Sequence, residues 1–159
     1  MLSLVLLGAV IGALVHARRD PTRRSPARTG ELIVRYTLVA YCGLPMLLIS
    51  IGILVAPEGM AEILPVGPSA PIVAFFGWAY LGMSLAAVLA PWYSASALLA
   101  AALPWAVYFA GATVVHLHGP GGHGHGGALL VFATHGLVSV ILVAGLAMAR
   151  PGARVAPPG

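Results

Sequence analysis

Four of the six histidines in this 159-residue chain fall in HLHGPGGHGHGG, residues 116–127. His116, His118, His123 and His125 stand there among six glycines, and His135 follows in the next apolar stretch. Imidazole suits Zn, Cu and Ni ions, and a neutral ring coordinates at ~2.0 Å through either nitrogen. These five histidines are therefore the candidate metal ligands. Residues two apart on a helix point nearly opposite ways, so His116 and His118 can share an ion only where the helix has already ended. Gly119 and Pro120 suit such an end. His123 and His125 flank Gly124, which imposes few backbone limits. Ordering such a glycine-rich strip costs about 1–2 kcal/mol per fixed residue before any metal bond forms. The competing reading is a slack hinge between two membrane helices, and the residues alone leave both open.

Other chemistries find less in the residues. Two histidines on neighbouring helices can ligate a haem, but His135 is expected roughly 10 Å below the level of His116, and His16 lies at the opposite end of its own segment. Ser50, Ser84, Ser139, Thr134 and Cys42 have no elbow or triad spacing around them, and nucleophilic catalysis needs a base held beside the nucleophile. Trp78, Tyr80, Trp105 and Tyr108 would either line a quinone or lipid pocket or pack the core. The apolar windows contain no Asp, Glu or Lys, which removes the usual intramembrane proton relay and leaves His135 as the ionisable group at depth. One cysteine excludes both an intrachain disulfide and a cysteine-based zinc site. No catalytic residue is assigned, and no cofactor is expected beyond Zn, Cu or Ni.

The elements that must position these groups are apolar helices. Hydrophobic residues make up 60% of the chain and charged residues 8%, against roughly 25% charged in ordinary soluble domains. About a third of a soluble chain of this length would still face water after folding, so lipid is the solvent that suits it. Apolar windows run over 1–17, 32–56, 71–90, about 95–117 and 128–149. About 20 residues at ~1.5 Å each cross the ~30 Å hydrocarbon layer, so the first window is at the short limit. Charge decides its treatment. The basic residues are eight arginines in two segments, Arg18 to Arg35 and Arg150 to Arg154. Five spans place both on one side and the arginine-free connections on the other, and the positive-inside rule makes the arginine side cytoplasmic. The first window has no positive side chain before its apolar core, so it reads as a reverse-oriented anchor rather than a secretory signal.

The expected fold is thus an all-α membrane protein: a single domain, 1–149, forming a five-transmembrane-helix bundle with the N-terminus outside and the C-terminus cytoplasmic. Residues 150–159 form a disordered cytoplasmic tail. Pro45 and Pro104 fall inside helices and should kink them. Trp92, Tyr93 and Tyr36 are expected in an aromatic belt at the inner headgroup level. Gly8 and Gly12 offer close helix approach. The third and fourth helices are expected to pair through Gly82, Ala86 and Ala90 against Ala97, Ala100 and Ala101.

The stretches FFGWAYLGMSLAAVLAPW and PWAVYFAGATVVHLHG resemble small bacterial membrane proteins of the DoxX-like kind and related families of unknown function. The resemblance covers roughly 32–149. It implies a small helical bundle and, in some members, a helper role beside a membrane oxidoreductase, and it transfers no catalytic residue. The first helix and the histidine strip depart from that pattern. The function expected is a non-enzymatic accessory or structural subunit of a larger complex in the bacterial cytoplasmic membrane. Its partners would be the lipid bilayer and another membrane subunit or a second copy of itself, with no nucleic acid. The alternatives are an external transition-metal binder or carrier using the His-rich loop, and a quinone- or haem-linked redox protein.

Overall fold

The computed structural model describes residues 2–20, 25–63, 69–118 and 126–149, and every element among them is helical. Helix α1 is Leu2–Arg19, α2 Pro26–Thr37, α3 Leu44–Val55, α4 Pro57–Ile63, α5 Ala70–Leu89, α6 Ala95–His118 and α7 Gly126–Ala149. The tail 150–159 lies outside the described residues. Three stretches, Pro26–Val55, Ala70–Trp92 and Ala95–Val114, are long and apolar enough to cross a membrane, and Ala133–Ala149 is a shorter apolar helix. This composition is compatible with a membrane protein.

Helix α2 starts at Pro26, ahead of the apolar window that opens at 32. The Ser25 hydroxyl accepts from the Arg28 amide at 3.1 Å, and Pro26, whose missing N–H costs nothing in a first turn, follows directly. Arg28, Glu31 and Arg35 then share one helix face. Glu31 pairs with Arg28 at 2.9 Å and with Arg35 at 2.6 Å, so the polar first turns hold together by side-chain pairing.

A widened, π-type turn over Leu38–Gly43 joins α2 to α3, with the Leu44 amide reaching the Val39 carbonyl. Its cause lies just beyond, at Pro45. A proline inside a helix cannot donate an amide hydrogen bond, and its ring crowds the carbonyl four residues earlier, here that of Tyr41. An extra residue in the turn relieves the crowding and keeps Pro26–Val55 one helical rod. Helix α6 runs uninterrupted through Pro104.

Helix α7 packs against both α2 and α6, while α1 lies on α2 and α3 lies on α5. The closest approach is between α2 and α7. A Cβ on Gly30 would stand 2.5 Å from Met148 Cβ and 2.6 Å from the Gly145 carbonyl, and one on Gly145 would stand 2.7 Å from Val34 Cγ2. Only hydrogen fits at either position. The core is filled by Leu38, Tyr41, Trp105, Phe109, Val138 and Leu142, all essentially inaccessible.

The expected pairing of α5 with α6 through their small residues holds only in part: the two helices meet, and Ala90 and Ala101 are buried in the core. Gly82, Ala86 and Ala100 are exposed, and no atom approaches where a Gly82 Cβ would be. Aromatic side chains also join the two helices: Tyr80 donates to the Tyr108 hydroxyl at 3.0 Å, and Trp105 Nε1 donates to the Met83 carbonyl at 3.2 Å. The Gly8/Gly12 pair is split in the same way. Gly12 seats the Tyr36 ring, whereas Gly8 faces outward.

Candidate functional site

Polar and aromatic side chains collect at three levels of the bundle. At one end the arginines gather. Arg28 lies 3.7 Å from Asp20 at the close of α1, bridging α1 to α2, and Arg35 donates to the Pro91 carbonyl in the turn before α6. His16 Nδ1 is 3.1 Å from the Tyr36 hydroxyl, and the two rings meet edge to face. One contiguous cluster thus ties α1, α2 and the α5–α6 turn together. Tyr36 stands at this end together with Trp92 and Tyr93, which are 71% and 67% exposed.

In the middle, the π-type turn brings Tyr41 against Phe109, with ring centroids 5.6 Å apart. Phe109 stacks on Trp105 at 5.5 Å, Trp105 on Tyr80 at 6.5 Å, and Tyr80 meets Tyr108 edge to face at 5.2 Å. Of these rings Trp105 is fully buried in the core and Tyr108 packs against it half-buried, with Tyr80 half-buried beside both. Trp78 stands apart from them, 65% exposed on the outer side of α5. Three hydroxyls bind to backbone. Ser139 donates to the Ala106 carbonyl at 2.9 Å, Thr113 to Phe109 at 2.7 Å and Ser50 to Leu47 at 2.8 Å, so these groups link or brace helices. Cys42 is buried in the same core and disulfide-free.

Toward the other end, His135 on α7 lies against Phe109, ring centroids 5.3 Å apart, and the neighbouring Thr134 meets Ser3 of α1 at 2.8 Å. His116 and His118 belong to the last turn of α6, which runs through His118, so both positions are still helical. That backbone does not provide the helix end that a shared ion on this pair requires. His123 and His125 lie outside the described residues. Among the described residues, no group of three or more His, Cys, Asp and Glu converges as metal ligands would. His16 and His135 sit at opposite ends of the bundle, against Tyr36 and Phe109 respectively, which separates them as haem ligands.

Sequence reasoning missed the Arg28–Glu31–Arg35 ladder, although its three- and four-residue spacing was readable as one helix face. It also missed the Gly30–Gly145 crossing and the Tyr80–Tyr108 hydrogen bond, which need the tertiary pairing.

No curated protein and no solved structure matches the chain. Nothing in the comparisons ties it to the DoxX proteins specifically, so that resemblance narrows to a bundle from a family of undetermined role. A family model described as a family of unknown function, DUF6790, matches residues 1–154, and the chain therefore belongs to that family.

Proposed function

We propose that this chain is a small integral membrane protein of a bacterial cytoplasmic membrane that serves as a non-enzymatic accessory or structural subunit of a larger membrane complex. It would cross five times, N-terminus outside and C-terminus cytoplasmic. The gathering of Arg18, Arg19, Arg28 and Arg35 at one end supports that threading through the positive-inside rule.

The observation that carries the accessory role is where the small residues face. At the α2–α7 crossing, Gly30 and Gly145 serve close packing inside the bundle. On α5, Ala79, Gly82 and Ala86 occupy one outward face, bordered by Phe75 and Trp78, which are 71% and 65% exposed. Lipid tails need no small residues to pack against. A helix backbone does, because association in the bilayer is driven by close van der Waals contact between small-residue faces. The occupant suited to this face is a transmembrane helix of another subunit.

Purification from native membranes in mild detergent should recover one companion chain in fixed ratio. Gly82→Leu should release it while leaving the thermal midpoint of the bundle unchanged, since nothing in the bundle packs at Gly82. A solitary chain at native expression level, or a companion retained by Gly82→Leu, would overturn the reading.

A second reading, an external Zn, Cu or Ni binder, is favoured by the α6–α7 connection, whose flanks and interior carry His116, His118, His123 and His125, with His135 below. Calorimetric titration with each ion should give heat that disappears when the five histidines become alanine. Heat surviving that replacement removes the idea.

A further inference from the structure

We infer that the π-type turn Leu38–Gly43 is a hinge on which α3 and α5 swing together as one arm, and that the Tyr80–Tyr108 hydrogen bond is the latch holding that arm against α6. The packing divides at this turn. On one side of it, Val34, Leu38, Tyr41 and Cys42 share a core with Trp105, Phe109, Val138 and Leu142, and the Gly30–Gly145 crossing locks α2 to α7. On the other side, α3 lies along α5. Ile53 and Val73 are buried there, outside that core, and a Cβ on Gly77 would stand 2.8 Å from Ile53 Cγ2 and 3.0 Å from Leu54 Cδ2. Each unit is thus tightly seated within itself, while Leu48, Ile51 and Val55 leave the far side of α3 exposed.

The joint between the units has the parts of a hinge. Pro45 removes an amide from the ladder of helix hydrogen bonds, and the wide turn before it is the kind of local irregularity that interrupts a rigid α-helix. Gly43, where the turn hands over to α3, takes φ −84° and ψ −82°, away from the helical average near −63° and −42°. Hinges are built from such element-terminal residues, which absorb the change in backbone angle. α5 meets the rod at this same residue, since a Cβ on Gly43 would stand 2.7 Å from Val88 Cγ2. A contact made without a side chain offers little to interlock, so the arm can turn about it. The inner end of α5 is held by Arg35, which donates to the Pro91 carbonyl. Farther along α5, Trp105 Nε1 donates to the Met83 carbonyl and Tyr80 to the Tyr108 hydroxyl. Lipid tails are as apolar as the side chains they would replace, so parting two membrane helices carries no hydrophobic penalty, and hydrogen bonds and close packing are what keep the arm in place.

The inference rests on the membrane reading above, but on neither the accessory role nor the direction of threading. Gly52 in α3 and Gly111 in α6 are exposed, with open space where a Cβ would stand, so Gly52→Cys and Gly111→Cys can carry a pair of nitroxide labels. Cys42 is fully buried and stays unlabelled. Distances are read by double electron–electron resonance on the purified full-length chain in phosphatidylcholine vesicles. Co-flotation with the vesicles after alkaline wash reports insertion by itself, and its failure would sink the membrane reading and this inference with it. The Gly52–Gly111 pair should show a major distance and a minor longer one. A control pair within the arm, Gly52→Cys with Gly82→Cys, should show one distance. Tyr80→Phe removes only the donor of the latch and should raise the longer component about threefold, the population equivalent of one interhelical hydrogen bond. Pro45→Ala returns an amide to the turn and should shrink it. A single distance for Gly52–Gly111 in wild type and Tyr80→Phe alike overturns the proposal. So does an equal change in the control pair, which would place the motion inside the arm, and so does an unchanged or larger longer component in Pro45→Ala.

Discussion

Thr37 and Ser84 are buried completely, and neither hydroxyl has a hydrogen-bond partner among the described residues. An unsatisfied buried hydroxyl costs roughly 1–3 kcal/mol, so removing it without changing shape relieves the fold. Thr37→Val and Ser84→Ala should leave thermal stability in detergent unchanged or raise it. Ser139 makes the opposite case. Its hydroxyl links α7 to the Ala106 carbonyl of α6, and hydrogen bonds between membrane helices average ~0.6 kcal/mol. Ser139→Ala should lower the midpoint measured in the same detergent. A loss in Ser84→Ala equal to that in Ser139→Ala would show that Ser84 is paired after all. The sequence presents these three residues alike, as small hydroxyls in apolar windows, because partner and orphan differ only in which carbonyl lies opposite.

At the scale of elements, two helix contacts decide how the bundle closes. Gly145 and Gly30 meet so tightly that any side chain at 145 must displace Val34 or the α2 backbone. Overpacking of this kind costs about 1–3 kcal/mol, and Gly145→Val should lower the midpoint accordingly. Gly52 is the matched control, since it sits in α3 with open space around it. Gly52→Ala should be neutral or stabilising by up to ~1 kcal/mol, the helix-propensity difference. Similar losses in both variants would dissolve the case for a tight α2–α7 crossing. The positions of the long helices are legible in the apolar windows because each helix must offer lipid or neighbour an apolar surface along its whole length. The start of α2 is less so, because Arg28 and Glu31 look like loop residues until their spacing with Arg35 is read as one helix face. The neighbours of each helix were not legible. α5 and α6 are adjacent in sequence and share small residues, yet only some of these turn inward and tyrosine and tryptophan hydrogen bonds join the pair, while residues as distant as Gly30 and Gly145 make the closest contact. Of the histidine strip, the sequence gives the clustering, and the backbone adds that His116 and His118 still belong to α6.

For the whole molecule the decisive property is the direction of threading, because it determines which compartment meets the arginine cluster and which meets the histidines. Cys42 is fully buried, so labelling with a membrane-impermeant maleimide can be read from single introduced cysteines in the otherwise native chain. Gly59 in α4 and Ser25 at the opposite end of the Pro26–Val55 rod are both exposed. With the arginines cytoplasmic, Gly59→Cys should react in intact cells, and Ser25→Cys should react only after permeabilisation. The two variants also check each other, since a rod that truly crosses must give opposite answers at its two ends. The reverse pattern would put the arginine end outside, against the charge rule, and move the His118–Gly126 connection into the cytoplasm. The external metal reading would then fall with the threading. The outward α5 face would survive, because it depends on the packing of its residues and not on which compartment lies beyond.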